Sequence, residues 1–317
     1  MNNRKTVSYF SGLPAMLWWL VGISALLRGF LAWWLELGND EVYYWTYALF
    51  PDLSHFDHPP MVGLMIQLFS LNLRFDSELF IRLSSIVLMS ANSFIIFEIA
   101  KRLRNTRTGL IAAFLYNASI YAFVITGIFI LPDTPQNFFW LTGIYLLVRI
   151  SDAEPAGKNF PMLWLCFGIF AGLGMLSKYT SVFLWFGLAV FVLFFRISWL
   201  RSPWPWLAAL ITLLVFSPVI WWNLQNNFIS FSFHGARVTP QPGLRPDYFL
   251  RELAGQWLYN NPINVWLIWS ALLATARKKL TLNPGIRMLL FVAMPPILIF
   301  LVIGLFRATL PHWTGPA

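Results

Sequence analysis

"PAMLWWLVGISALLRGFLAWWL", residues Pro14 to Leu35, decides the class of this chain. Apolar and aromatic side chains fill every turn, and Arg28 is the one charged residue among them. A helix on the surface of a water-soluble protein keeps a polar face, and this run has none. Its length fits the roughly 20 residues that cross a hydrocarbon core. The preceding "MNNRKTVSYF" supplies a basic flank through Arg4 and Lys5. The run is too long for the core of a signal peptide, and no convincing small-residue cleavage site follows. It is read as a retained first membrane helix.

The rest of the chain extends that reading. Of 317 residues, 58% are hydrophobic and only 11% charged, too few to cover the outside of a soluble fold. The 17 tryptophans suit helix ends at lipid headgroups. Cys166 is the only cysteine, which excludes an intrachain disulfide and a cysteine zinc cluster. The formal charge of +9 is dispersed between apolar runs, so no nucleic-acid partner is expected. No fixed repeat or soluble domain is visible. Nine spans are read: Pro14–Leu35, Leu79–Ala100, Thr108–Phe129, Thr134–Ile150, Pro161–Leu176, Thr180–Phe195, Trp204–Trp222, Ile263–Ala276 and Ile286–Phe306. The expected fold is an all-α polytopic membrane protein of about nine transmembrane helices, forming one domain over residues 1–317.

Orientation follows from Lys and Arg in the short connections. With the N-terminus inside, the inner side holds Arg4, Lys5, Lys101, Arg102, Arg104, Arg107, Arg149, Lys158, Arg196, Arg201, Arg277, Lys278, Lys279 and Arg287. That is 14 of the 22 basic residues. Two outer loops are then long, residues 36–78 and 223–262. In the first, "NDEVYYWTYAL" has Asn39 and Asp40 as candidate N-caps, with Tyr43, Tyr44 and Tyr47 at helical spacing behind them. It is read as a helix lying in the membrane interface. Met61–Leu71 is apolar but too short to span, and is read as a second interfacial helix entered through Pro59 and Pro60.

The scarce chemical groups collect on the outer side. Asp40, Glu41, His55, Asp57 and His58 lie in the first loop, Asp133 in "LPDTP", and Lys178 and Tyr179 in "LSKYT". His234 and Arg237 lie in the long later loop, and Arg307 and His312 in the tail. Any one of these alone reads as a solvated or interfacial group. Asp133 is equally readable as a helix cap, and Arg28 and Arg82 as cations paired within the bundle. Together they offer a carboxylate to accept a hydroxyl proton and cations to neutralise a phosphate leaving group. Apolar spans beside them could present a lipid-linked substrate. A transporter or flippase would instead place ionisable groups near the bilayer midplane on broken, repeated helices. A scaffold subunit without activity is the third reading.

The stretches "NDEVYYWTYAL", "FDHPPM", "LPDTP", "GLGMLSKYT" and "RATLPHWTGPA", in this order and spacing, resemble the GT-C membrane glycosyltransferases. The similarity is to the group of dolichyl-phosphate-mannose protein mannosyltransferases and bacterial lipid A aminoarabinose transferases. It implies inverting transfer from a polyprenyl-phosphate sugar to a lipid or protein acceptor. The implied location is the periplasmic face of a bacterial inner membrane. It also implies Asp40 as the catalytic acid/base, assisted by Glu41, and Asp133 as a second acid. Asp57-His58-Pro59-Pro60 is similar to a Glu-Lys-Pro-Pro motif in which the lysine faces the lipid phosphate and the acid can join a metal site. His58 stands at the lysine position, and Lys178, Tyr179, Arg307 and His312 are the further residues expected at substrate and phosphate. A divalent metal ion is compatible with the resemblance, with Asp57 and His55 as its ligands; no other cofactor is expected. Members of the group continue past the Pro311-His312-Trp313 segment, so a C-terminally shortened chain is expected.

Overall fold

The computed structural model describes residues 13–277 and 282–317. Arg4, Lys5, Lys278 and Lys279, all counted above for orientation, lie outside the described residues. Among the described residues every regular element is helical. In order they are α1 (Ala15–Trp34), α2 (Asn39–Leu49), α3 (Met61–Phe69), α4 (Glu78–Ile81), α5 (Leu83–Leu103), α6 (Thr106–Asn117) and α7 (Asp133–Asp152). Then come α8 (Phe160–Ser177), α9 (Phe183–Phe195), α10 (Pro203–Gln225), α11 (Ile229–Val238), α12 (Pro246–Tyr259), α13 (Pro262–Ala276) and α14 (Pro284–Gly304).

Five of them, α1, α5, α8, α10 and α14, are long and apolar enough to cross a membrane. The outward sides of α1, α10 and α14 carry exposed Trp19, Leu26, Trp206, Leu214 and Val302. Such residues are stable on a surface only where lipid replaces water. The chain is therefore a multi-pass membrane protein. α7 forms its axis: fifteen of its twenty residues are buried, and α5, α8 and α14 pack around it. Trp140 and Leu147 of α7 meet Trp164 and Phe167 of α8 and Phe191 of α9 in the largest apolar cluster. Lipid tails are as apolar as leucine, so helix contact in a bilayer depends on close packing. α8 and α10 achieve it through Gly168, where an added Cβ would stand 2.5 Å from the Ala208 carbonyl oxygen. Thr212 Oγ1 donates to the Gly168 carbonyl across that crossing at 2.8 Å.

Several expected spans take another form. Thr108–Phe129 was expected as one helix, but α6 ends at Asn117 and a π-turn occupies Tyr121–Ile125. Polar side chains offer the backbone other partners there: Ser119 Oγ accepts from Ala122 N–H, and Arg28 Nε donates to the Phe123 carbonyl at 3.4 Å. The run from Thr180 begins as a 3₁₀ turn, Tyr179–Val182, and becomes α9 only at Phe183. Residues 223–262, expected as a loop, contain α11 and α12.

The expected short helices in residues 36–78 are present as α2 and α3. Gly38, not Asn39 or Asp40, holds the N-cap position of α2, because the Glu41 carboxylate reaches back to the Gly38 N–H at 3.0 Å.

Candidate active site

One end of the bundle encloses a cavity of about 890 Å³, lined by the 3₁₀ turn and residues from α2, the 51–60 loop, α7, α11, α12, α14 and the tail. Asp40, Glu41, Asp57, His58, Asp133, Lys178, Tyr179 and His312 all line it. Five segments remote in sequence thus deliver their expected residues to one space.

Each is placed by a local device. Glu41 is 2% exposed and accepts from Arg82 Nε at 2.7 Å and Arg82 Nη2 at 2.6 Å. It also accepts from the Ile130 N–H at 3.1 Å. Arg82 spends its remaining donors on the last carbonyls of α1 and the turn after it: Ala32 at 3.0 Å, Leu35 at 2.6 Å and Glu36 at 2.8 Å. This knot ties the end of α1 to the start of α2 and fixes the neighbouring Asp40. Asp40 is exposed to the cavity in the first turn of α2, where the helix dipole favours negative charge. Among the described residues nothing donates a hydrogen bond to its carboxylate.

Asp133 opens α7 with Pro132 at the N-cap position, so it does not cap the helix. Its two carboxylate oxygens each lie 2.8 Å from Lys178 Nζ, in a buried pair. Tyr121 Oη donates to the same carboxylate at 3.4 Å.

The 51–60 loop is strapped from three sides. Trp222 Nε1 donates to Asp52 at 2.7 Å, and Ser230 Oγ donates to the His55 carbonyl at 3.1 Å. Asp57 accepts from Tyr43 Oη at 2.8 Å and from Tyr47 Oη, and its carbonyl accepts from the His234 ring. Burial pushes the Tyr44 and Tyr47 phenols above their ordinary range, so both stay protonated. Burial, reinforced by the Lys178 ammonium, pushes the His58 imidazole down to about 3, and its Nδ1 is buried without a hydrogen-bond partner. Burial also lowers His234 and His312, against the pull of Asp57 on the first and Asp133 on the second. The cavity imidazoles are therefore neutral near pH 7.

Two expected residues stand elsewhere. Arg307 does not line the cavity; it donates to the Thr239 carbonyl at 3.4 Å. The His55 ring stacks on Tyr47 with centroids 3.6 Å apart. With Asp57 engaged by two phenols and His55 stacked, this pair does not fit a metal ion. Among the described residues no cluster of three His, Cys, Asp or Glu side chains could hold one. Arg237, named above only among the outer polar groups, was not among the residues expected at substrate and phosphate. It lines the cavity from α11, with its guanidinium 5.3 Å from both the Phe233 and Trp313 rings. Among the described residues no carboxylate pairs with it. The available signal was its three-residue spacing from His234, which puts both on one face of a helix.

The fold and site define a class: a polytopic helical membrane protein with acids and cations gathered at one end of its bundle. The chain belongs to the dolichyl-phosphate-mannose-protein mannosyltransferase family, whose model matches residues 57–222. It is 22% identical over 210 residues to the lipid A galacturonosyltransferase RgtD of Rhizobium johnstonii, covering 64% of this chain and 43% of that protein. The fold is similar to ArnT from Cupriavidus metallidurans bound to undecaprenyl phosphate, with a TM-score of 0.72 and 18% identity over 96% of this chain and 58% of that one. It is also similar to the S. cerevisiae O-mannosyltransferase Pmt1-Pmt2 complex bound to the sugar donor, with a TM-score of 0.51 and 20% identity over 74% and 35% of the two chains. The chain spans about half the length of the relatives it matches.

Proposed function

We propose that this chain transfers a sugar from a polyprenyl-phosphate donor to a hydroxyl of a lipid or protein acceptor, with inversion. One observation carries the reading. A single cavity presents an unpartnered carboxylate, Asp40, a guanidinium free of carboxylates, Arg237, and an apolar wall including Ile125, Phe183, Ile299, Phe300 and Ile303. Such a site suits an amphipathic ligand with a phosphate head and a hydrocarbon tail. The ligands that relatives bear in their names support this: undecaprenyl phosphate in ArnT and a sugar donor in Pmt1-Pmt2.

In the proposed step Asp40 takes the proton of the acceptor hydroxyl as its oxygen attacks the anomeric carbon. The bond from that carbon to the phosphate oxygen breaks with its electron pair, and polyprenyl phosphate leaves with one more negative charge. Arg237 and the remaining N–H of Lys178, both at the cavity, stabilise that charge. Attack opposite the leaving group inverts the anomeric centre. Asp133 holds Lys178, and Glu41 holds the turn that carries Asp40. The excess of basic residues in the connections expected inside supports a cytoplasmic N-terminus and a cavity facing the periplasm of a bacterial inner membrane.

The test is Asp40→Asn. A radiolabelled polyprenyl-phosphate sugar incubated with membranes should lose transfer by about a hundredfold or more, the usual weight of a general base. Expression and thermal stability in detergent should be unchanged. Turnover near the parent's would remove Asp40 from the step.

A further inference from the structure

The charges around the cavity narrow the donor's sugar, given the transferase reading above. Four carboxylates line the cavity, Asp40, Glu41, Asp57 and Asp133, against two permanent cations, Lys178 and Arg237. Glu41 is cancelled by Arg82 and Asp133 by Lys178, each pair buried and in contact. What remains is Asp40 and Asp57 facing Arg237 alone. Asp57 accepts from two phenols through one carboxylate oxygen, and those bonds hold its charge in place without neutralising it. His58, His234 and His312 add no positive charge near neutral pH, since burial disfavours protonation of all three.

A polyprenyl-phosphate sugar is a phosphodiester with one negative charge, and its departure creates a second. That demand falls on Arg237, the one cation left without a carboxylate among the described residues at the cavity, and on the remaining N–H of Lys178, whose charge Asp133 already balances. Among the described residues at the cavity no guanidinium or ammonium is left over for another anion. A carboxylate on the sugar would share the cavity with Asp40 and Asp57, with no cation among the described residues left to pair with it, and like charges in one cavity repel. We infer that the donor's sugar carries no carboxylate: a neutral or amino-substituted sugar is accepted and a uronic acid is rejected. An ammonium substituent would meet the uncompensated acids favourably. Rejection of this kind is specificity by repulsion, set by what the site lacks. It separates this chain from the relative whose name records galacturonosyl transfer.

The experiment compares three ligands that differ only in the sugar: undecaprenyl phosphate esters of glucose, aminodeoxyarabinose and galacturonic acid. Each is titrated near neutral pH into the purified chain in nanodiscs, with undecaprenyl phosphate as reference, and Kd is read by calorimetry. The galacturonic acid ester should bind roughly tenfold more weakly than the glucose ester, or worse. Asp57→Asn, which keeps the shape and removes one negative charge, should narrow that ratio several-fold. Binding of the uronic acid ester as tight as the others, or a ratio unmoved in Asp57→Asn, would overturn the inference and leave the transferase reading standing. Binding of none of the four ligands would overturn both.

Discussion

Asp40 and Glu41 are adjacent, yet the surroundings give them different tasks. Asp40 faces the cavity with its carboxylate unpartnered, while Glu41 is locked in the knot with Arg82, Gly38 and Ile130. Removing one partner of a buried pair leaves the other charged and unpaired, at a cost of about 3–5 kcal/mol. Arg82→Met should therefore lower the apparent Tm in detergent strongly. The double variant Glu41→Met/Arg82→Met should be less destabilised than Arg82→Met alone, because no unpaired charge remains. A thermal-denaturation double-mutant cycle checks this; strictly additive losses would mean the two side chains are not coupled.

The helices pack by two different rules. Where α8 crosses α10, Gly168 lets the backbones touch, and Gly168→Val would drive a side chain into the Ala208 carbonyl. A loss of about 1–3 kcal/mol or more, read as a lower Tm, is expected. Gly22 of α1 has nothing within 4 Å of an added Cβ. Gly22→Ala should be neutral or stabilising by about 0.5–1 kcal/mol, because alanine restricts the unfolded chain and favours helix. If both glycines tolerated substitution equally, close backbone approach would not be what joins α8 to α10. The π-turn after α6 follows the other rule: a buried guanidinium, Arg28, serves the Phe123 carbonyl and Asn117 Oδ1 within the bundle.

Taken as one assembly, the protein should be sensitive to acid. Burial lowers His55, His58, His234 and His312 from the ordinary 6.5, and His58 the furthest, to about 3. A histidine lowered in this way binds its proton more readily in the unfolded chain. Stability is therefore unaffected by it above about pH 6.5, and falls as pH drops from there towards about 3. Apparent Tm in detergent should be flat from pH 8 to 7 and decline below about 6.5, less steeply in His58→Gln. A profile that His58→Gln leaves unchanged would mean that this imidazole does not govern the loss.

The class of the protein was legible in runs such as Pro14–Leu35, because the preference of an apolar helix for lipid depends on length and composition, both local properties. Short helices at residues 39 and 61, and the gathering of Asp40, Asp133 and Lys178 at one end, were also readable, since threading through a membrane restricts which connections can meet. Pairing was not legible. Nothing in "LPDTP" or "LSKYT" says that Asp133 and Lys178 spend their charges on each other, or that Glu41 belongs to Arg82 and Asp57 to two tyrosines. Arg237 was visible as a basic residue in a loop but not as the cation left free, and Arg307 not as one turned away from the cavity. The net charge a site presents is what remains after cancellation between neighbours, and neighbours forty or more residues apart exist only once the helices have packed.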